Sequence, residues 1–305
     1  MATNIMRSAD FNSIVSPILN EAFDGVYDQR KDEWKAIFKE ITGIPRQYHE
    51  EPVLFGMGSA PEMPDGTPVT YQAGGVLFNK RYLYKVYGLA YALTQVLVED
   101  GDHIRIGKTY AEHLAQSLIE TKELKCANIL NFAFNAAAQF QTGDGVALAS
   151  ASHPVIGGTY SNLATSAALS QTSLEQMIIQ IRNATDANGK KIRLMPKTLV
   201  VAPGNEMQAE VLLNSVLRTG TNNNDINPVK SMGLLKEVAV ISRLTSPNAW
   251  FITTDAPKGL QILMRRKLTK SMEGDFETDS MRYKATERYE TGVTNPLALF
   301  SNQGI

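Results

Sequence analysis

The chain has 305 residues, 43% of them hydrophobic and 20% charged, with a net charge of −1. That length provides for one large or two ordinary domains with a sizeable core, and that composition excludes a disordered chain. The charge balance leaves no cationic excess to neutralise phosphates, which disfavours a tight nucleic-acid binder, and the single cysteine, Cys126, can form no internal disulfide.

The first residues, MATNIMRSADF, hold no apolar signal-peptide core, and no apolar run reaches membrane-spanning length. A cytoplasmic product is the simplest expectation. Ile14, Ile18, Leu19, Ala22, Phe23 and Val26 fit one helical face. Trp34, Ile37, Phe38 and Ile41 predict a second helical segment, stopped by Gly43 and Pro45. This arm has little core of its own. Its apolar face needs cover from elsewhere in the fold or from another chain.

Pro52 to Ala73 reads as a long hairpin with Val53 and Phe55 on one limb and Val69 and Tyr71 on the other. Its tip, Ala60 to Pro68, is rich in turn residues. Four prolines between Pro52 and Ala73 argue against a strand pair at the centre of a domain, which leaves an ordinary surface hairpin or an arm that leaves the body to dock on a neighbour. Leu83, Tyr87, Leu89, Tyr91 and Leu93 alternate as in a strand, and Gln95 to Glu99 suggests a short helical turn.

The longest regular stretch is His103 to Ala138. Ala111, Leu114, Leu118, Cys126, Ile129, Leu130 and Ala133 keep mostly helical spacing, three or four apart, and no Pro or Gly interrupts them after Gly107. No a/d heptad is sustained, so the helix needs a broad surface, such as a sheet, rather than a coiled-coil partner. Gly143 to Gly158 reads as loop. Thr172-Ser173-Leu174-Glu175 has the form of a capping box, with Leu174, Met177, Ile178 and Ile181 facing in. Thr198–Ala202 is a short buried strand. Asn205 opens a third helix with Met207, Val211, Leu212 and Val216 predicted inward. Thr221-Asn222-Asn223-Asn224 forms a polar loop. Val238–Ile241 and Ala249–Ile252 read as two strands joined by a turn at Ser246-Pro247-Asn248. Leu260–Met264 and Arg282–Tyr289 are further strands.

No catalytic constellation emerges. His103 and His113 lie ten residues apart, about 15 Å along a helix, too far to share a metal. Surface or capping roles suit the histidines better. Cys126 has no nucleophile signature and reads as a packed thiol. Gly56-Met57-Gly58 lacks the third glycine and the following helix of a dinucleotide site. Glu99, Asp100 and Asp102 favour a helix N-terminus over calcium. Arg265-Arg266-Lys267 reads as a solvated strand edge. No catalytic residue, metal ligand or cofactor is expected, and a structural protein is favoured over a soluble enzyme.

At Gly157-Gly158-Thr159-Tyr160-Ser161-Asn162 the chain resembles the major head subunits of Mu-like phages and prophages. Further stretches carry the likeness: Arg218–Thr221 with Asn224–Asn227 and Gly233-Leu234, Trp250–Pro257, Arg282–Ala285 with Glu287-Arg288-Tyr289, and Gly292 to Pro296. They span most of the chain from Leu83 onward, and the N-terminal third departs more. The resemblance implies an α+β fold, the Hong Kong ninety-seven type phage capsid fold. It divides the chain into an arm (1–50), an extended loop (51–75), a peripheral domain (76–194 and 259–305) with its spine helix at 103–138, and an axial domain (195–258). It implies a major capsid protein that assembles into hexamers and pentamers of an icosahedral shell around double-stranded DNA. The alternative is an encapsulin-like compartment of the same fold.

In such a shell the interface residues fall on the extended loop, at Phe55, Met57, Met63, Val69 and Tyr71, and on the axial loop, at Thr221, Asn222, Asn223 and Asn224. The partners implied are further copies of the chain, a separate scaffold, a portal, a possible decoration protein and weakly contacted DNA, with no membrane. The location implied is the virion, after assembly in the host cytoplasm. A near-neutral chain suits a DNA container, since strong wall binding would hinder filling and ejection.

Overall fold

The structure, a computed structural model, describes residues 8–29, 31–43, 45–94, 96–97, 103–137, 139–218, 225–275 and 280–305. In chain order its first elements are α1 (Ser8–Gln29), β1 (Lys39–Thr42), β2 (Tyr48–Phe55), β3 (Gly75–Leu83), β4 (Lys85–Thr94) and the spine helix α2 (His103–Asn131). There follow β5 (His153–Val155), β6 (Gly158–Tyr160), α3 (Gln171–Arg182), β7 (Pro196–Val201), α4 (Glu206–Asn214) and the single turn α5 (Pro228–Ser231). The chain closes with β8 (Glu237–Val240), β9 (Trp250–Thr254), β10 (Leu260–Asp275), β11 (Ser280–Val293) and β12 (Leu299–Asn302).

The spine helix is about 44 Å long at 1.5 Å per residue. It ends at Asn131, before the Ala138 that the periodicity suggested, because the chain turns at Phe132 to bring Ala133 into the core. Its two halves serve different cores. Ala111, Leu114, Ala115 and Leu118 pack with Val15, Leu19 and Phe23 of α1 and with Tyr283 and Ala285 of β11. Cys126, Ala127, Ile129 and Leu130 pack with Trp34, Phe38, Ile262 and Tyr289. Cys126 is buried, and desolvation holds its thiol well above the ordinary range.

The sheet under the helix has the order β1-β10-β11-β4. β10 and β11 form a ribbon far longer than the strands expected at Leu260–Met264 and Arg282–Tyr289. The second sheet, β12-β9-β7-β8, is buried on both faces. Val200 and Phe251 point to the spine side, while Leu199, Val201, Trp250, Ile252 and Phe300 point to α3 and α4. β8 and β9 do not pair with each other, because β7 lies between them. The packing unit around this sheet also draws on α3 and β12, and so is wider than residues 195–258.

Four other details depart from the sequence reading. Residues 33–36 make one 3-10 turn and Ile41 lies in β1, whose backbone groups bond in parallel to β10 rather than within a helix. The cap of α3 is Ser170, whose hydroxyl accepts from the Ser173 backbone while Ser173 returns the bond, so the box lies two residues earlier than Thr172. On α4 the inward residues are Ala209, Leu212 and Leu213, while Met207 is 75% exposed and Val211 and Val216 face outward. Asn205 precedes that helix without a side-chain cap, since its amide donates to the Pro247 carbonyl. Most of the turn expected at Gln95–Glu99, the acidic cluster at 99–102 and the axial loop Thr221–Asn224 lie outside the described residues.

Candidate intersubunit interface

The extended loop is rooted by β2 and β3, which pair antiparallel from Tyr48↔Leu83 to Phe55↔Gly75. Val53 and Phe55 thus lie on the first limb as expected, while the second limb begins at Gly75, beyond the expected Pro52–Ala73 span. Val69 and Tyr71 belong to the unpaired tip, because the chain between Gly56 and Gly74 forms no ladder. Pro52 interrupts nothing, since this two-stranded ribbon leaves it an open edge.

The root is buried and polar. One carboxylate oxygen of Glu51 accepts from the Gln261 amide and the Thr294 hydroxyl, and Tyr82 shares a 2.7 Å hydrogen bond with Thr294. His49 lies 3.3 Å from the other Glu51 oxygen. Gly292 gives the Tyr82 ring its place, since a Cβ there would come within 2.3 Å of the ring edge. The opposite limb leans on the turn after the spine helix. Lys80 donates to the Gln141 carbonyl, and the Phe78 ring occupies the space over Gly143. Burial lowers the Lys80 ammonium to about 8 against the opposing pull of Asp144 and Glu290.

That turn is itself held by a buried network. His153 is wholly buried, not a surface histidine, and sets Nδ1 2.6 Å from Asp144 and Nε2 3.1 Å from the Asn162 side-chain oxygen. The Asn162 amide nitrogen donates to the carbonyls of Leu148, Pro296 and Leu299, which fixes its orientation. Burial alone would raise the Asp144 carboxyl, but hydrogen bonds from His153 and Thr142 outweigh it and hold it below its ordinary range. Both imidazole nitrogens are engaged by Asp144 and Asn162, so neither is available to activate a nucleophile. Among the described residues no three His, Cys, Asp or Glu side chains cluster as metal ligands.

A second buried pair fastens the arm. Lys122 on the spine lies 2.7 Å from Glu287 of β11 and donates at 2.7 Å to the Tyr27 hydroxyl of α1. Burial alone would lower the Lys122 ammonium, but the Glu287 charge reverses this and raises it. Farther along, Glu33 accepts from the Ser242 backbone and hydroxyl, and its own backbone N–H donates to Glu123.

The tip has no comparable fastening. Its ties to its own subunit run through the backbone, from Asn188 to the Gly56 carbonyl and from Lys190 to the Met57 carbonyl, each at 2.7 Å. Met57, Met63, Val69 and Tyr71 are 62%, 58%, 63% and 95% exposed. Phe55 differs from them: it is half-buried, its ring lying against Gly75 at the top of the ladder. The structure thus brings four of the five expected loop residues onto one bare tip. Sequence reasoning missed both networks, and for the turn network the signal it held was Asn162 inside the Gly157–Asn162 motif.

The family model for phage capsid protein matches residues 82–302. A search of curated proteins finds no sequence match. Among solved structures, the virus-like particle of Pyrococcus furiosus is 13% identical, with 94% of this chain and 98% of that chain covered and a TM-score of 0.53. A Mycobacterium phage Adephagia structure is 13% identical, covering 90% and 91%, with a TM-score of 0.55. The capsid of the Cyanophage P-SCSP1u is 12% identical, covering 88% and 86%, with a TM-score of 0.54. These likenesses show the fold, the α+β Hong Kong ninety-seven type. With the family model spanning well over half its length, this chain belongs to the phage capsid protein family.

Proposed function

We propose that the chain is the major capsid subunit of a tailed phage or prophage, a structural protein whose copies close into hexamers, pentamers and an icosahedral shell around double-stranded DNA. The observation that carries the proposal is the pairing of a firmly anchored loop root with a tip left bare. Apolar surface gains roughly 25 cal/mol per Å² when it leaves water, and the tip can collect that gain only from another molecule. Repetition of one such contact around rotation axes closes rings, and rings close a shell.

In this reading residues 51–75 cross to an adjacent subunit through Met57, Met63, Val69 and Tyr71, with Phe55 at the base. The axial domain, centred on 195–258, meets its copies at the capsomer centres through the loop at Thr221–Asn224. A separate scaffold, a portal and DNA are the further partners, and the virion is the location, after assembly in the host cytoplasm. The test is purification of the full chain, alone and with its phage assembly factors, followed by sedimentation and negative-stain microscopy. Capsomers, tubes or shells are expected, and a monodisperse monomer under every condition would refute the assignment. A second reading, a compartment shell holding protein cargo, has the virus-like particle match in its favour. Neighbouring genes for a portal and a terminase, as against a cargo enzyme, decide between the two.

A further inference from the structure

The turn under the loop root holds a defined number of protons. The Asn162 amide nitrogen donates to the carbonyls of Leu148, Pro296 and Leu299, so its oxygen faces the Ser150 backbone N–H at 2.9 Å and His153 Nε2 at 3.1 Å. An amide oxygen only accepts, so Nε2 carries a hydrogen. Across the ring, Nδ1 lies 2.6 Å from an Asp144 carboxylate oxygen. Two lone pairs at that distance repel, so a second proton lies between them. A neutral imidazole beside an ionised Asp144 is one proton short of this pattern.

The surroundings keep that proton on the ring. The His153 and Asp144 side chains are 0% and 2% exposed. The second Asp144 oxygen accepts from the Val146 backbone N–H and the Thr142 hydroxyl. Burial alone would raise the carboxyl, but these bonds and the one from His153 hold it below its ordinary range. The Tyr160 ring of β6 stacks on the imidazole at 5.0 Å. Burial and the Asp144 charge push its hydroxyl far above the ordinary range, so it stays neutral. From β3 the Lys80 ammonium lies within the field of Asp144, and Glu290 of β11 also acts on Lys80. Among the described residues Asp144 is the acid that faces the ring.

What the pair fastens is a footing. The Thr142 N–H donates to the Val146 carbonyl and the Gly145 N–H to the Thr142 carbonyl, which closes the turn. Phe78 lies over Gly143 and Lys80 donates to the Gln141 carbonyl, so the second limb of the loop root stands on this turn. Without the extra proton, the imidazole would turn a bare nitrogen toward a buried carboxylate, and that carboxylate would lose its charge partner.

We propose that His153 is a buried imidazolium that clamps the turn beneath the extended loop, and that loss of its proton at alkaline pH releases the second limb from this footing. The device lies within one subunit and does not depend on where the loop tip goes. The folded pattern requires the proton and the unfolded chain does not, so the clamp is closed near neutral pH and weakens as the pH rises. Lys80 acts in the opposite sense: burial lowers its ammonium to about 8, and its neutral amine still donates to Gln141.

The test is nitrogen-15 magnetic resonance of the full chain labelled at histidine. The substitutions His49→Gln, His103→Gln and His113→Gln together leave one ring to read. At neutral pH both of its nitrogens are expected to be protonated, and a signal from a bare ring nitrogen would overturn the proposal. Hydrogen exchange in the unsubstituted chain gives a second measurement. Protection of the Gly145 and Val146 amides is expected to fall about tenfold or more between about pH 7 and about pH 9, beyond the intrinsic rise in exchange. Asp144→Asn places an amide donor against Nδ1 and so accepts a neutral ring. Its protection is expected to start lower and to show no such step. An equal step in both chains, or none in the unsubstituted one, would overturn the clamp. Should Asp144→Asn fail to fold, the ring signal and the exchange profile of the unsubstituted chain decide.

Discussion

Helix α1 and the extended-loop tip start from the same deficit and end differently. Each carries apolar residues without a core in its own segment. The helix resolves this at home: Leu19 and Phe23 are fully buried against the spine, and Tyr27 enters the Lys122–Glu287 pair. The tip resolves nothing within the subunit, and Tyr71 stands 95% exposed. The arm, whose cover the sequence left open between its own fold and another chain, is thus largely sealed on its own chain from Val15 onward. What stays uncovered within the subunit is narrower, the span between Gly56 and Gly74. A missing core in a segment says that cover is needed, and only the tertiary structure says who supplies it.

The contrast is most fully broken by removing the tip. Deletion of Gly56–Pro68 is expected to leave the melting curve of the subunit nearly unchanged and to abolish shells in the micrographs. The two single truncations sharpen it. Phe23→Ala is expected to cost about 3–5 kcal/mol in chemical denaturation, because it opens a cavity between α1 and the spine. Tyr71→Ala is expected to change subunit stability by no more than about 0.5 kcal/mol while weakening assembly.

The polar fastening of α1 gives a comparable but chemically distinct effect. Lys122→Met is expected to cost about 3–5 kcal/mol, since it leaves the Glu287 carboxylate buried and uncompensated. Lys122→Met with Glu287→Leu is expected to recover most of that loss.

The smallest effect concerns pH. The Asp144 carboxyl lies below its ordinary range in the folded chain, so the unfolded chain binds the proton more readily. Its contribution is full above the unfolded carboxylate value, about 4, and is lost as the pH falls through the folded one. Asp144→Asn is therefore expected to flatten the acid side of the melting-temperature profile and to loosen the turn under Phe78 and Lys80.

The legible parts of this fold were those in which one physical signal dominated. The spine was visible because its apolar residues keep helical spacing through some eight turns. The strand at Thr198–Ala202 was visible because burial on both faces leaves an unbroken apolar run. The ribbon β10–β11 was only partly visible. One face is open, so Thr269 to Asp275 reads as polar, and the regular alternation is broken by irregular register near Arg266. The orientation of α4 was misread because Met207 and Val211 share a face with each other but not with Ala209 and Leu213. A helix of nine residues has too few turns for its pattern to settle the choice. The loop-root network could not be read at all. Glu51, Gln261 and Thr294 lie more than two hundred residues apart along the chain at their extremes and meet only in the folded subunit.

The parallel pairing of β1 with β10 has a consequence for timing. Lys39–Thr42 is made early and its partner Gln261–Met264 late, and Tyr27 must likewise wait for Glu287. A growing polypeptide leaves the ribosome N-terminus first, so its opening helix has no sheet to close on until synthesis is nearly finished. On the proposed reading of the loop as a docking arm, nascent chains on one messenger therefore hold no completed body for it to join.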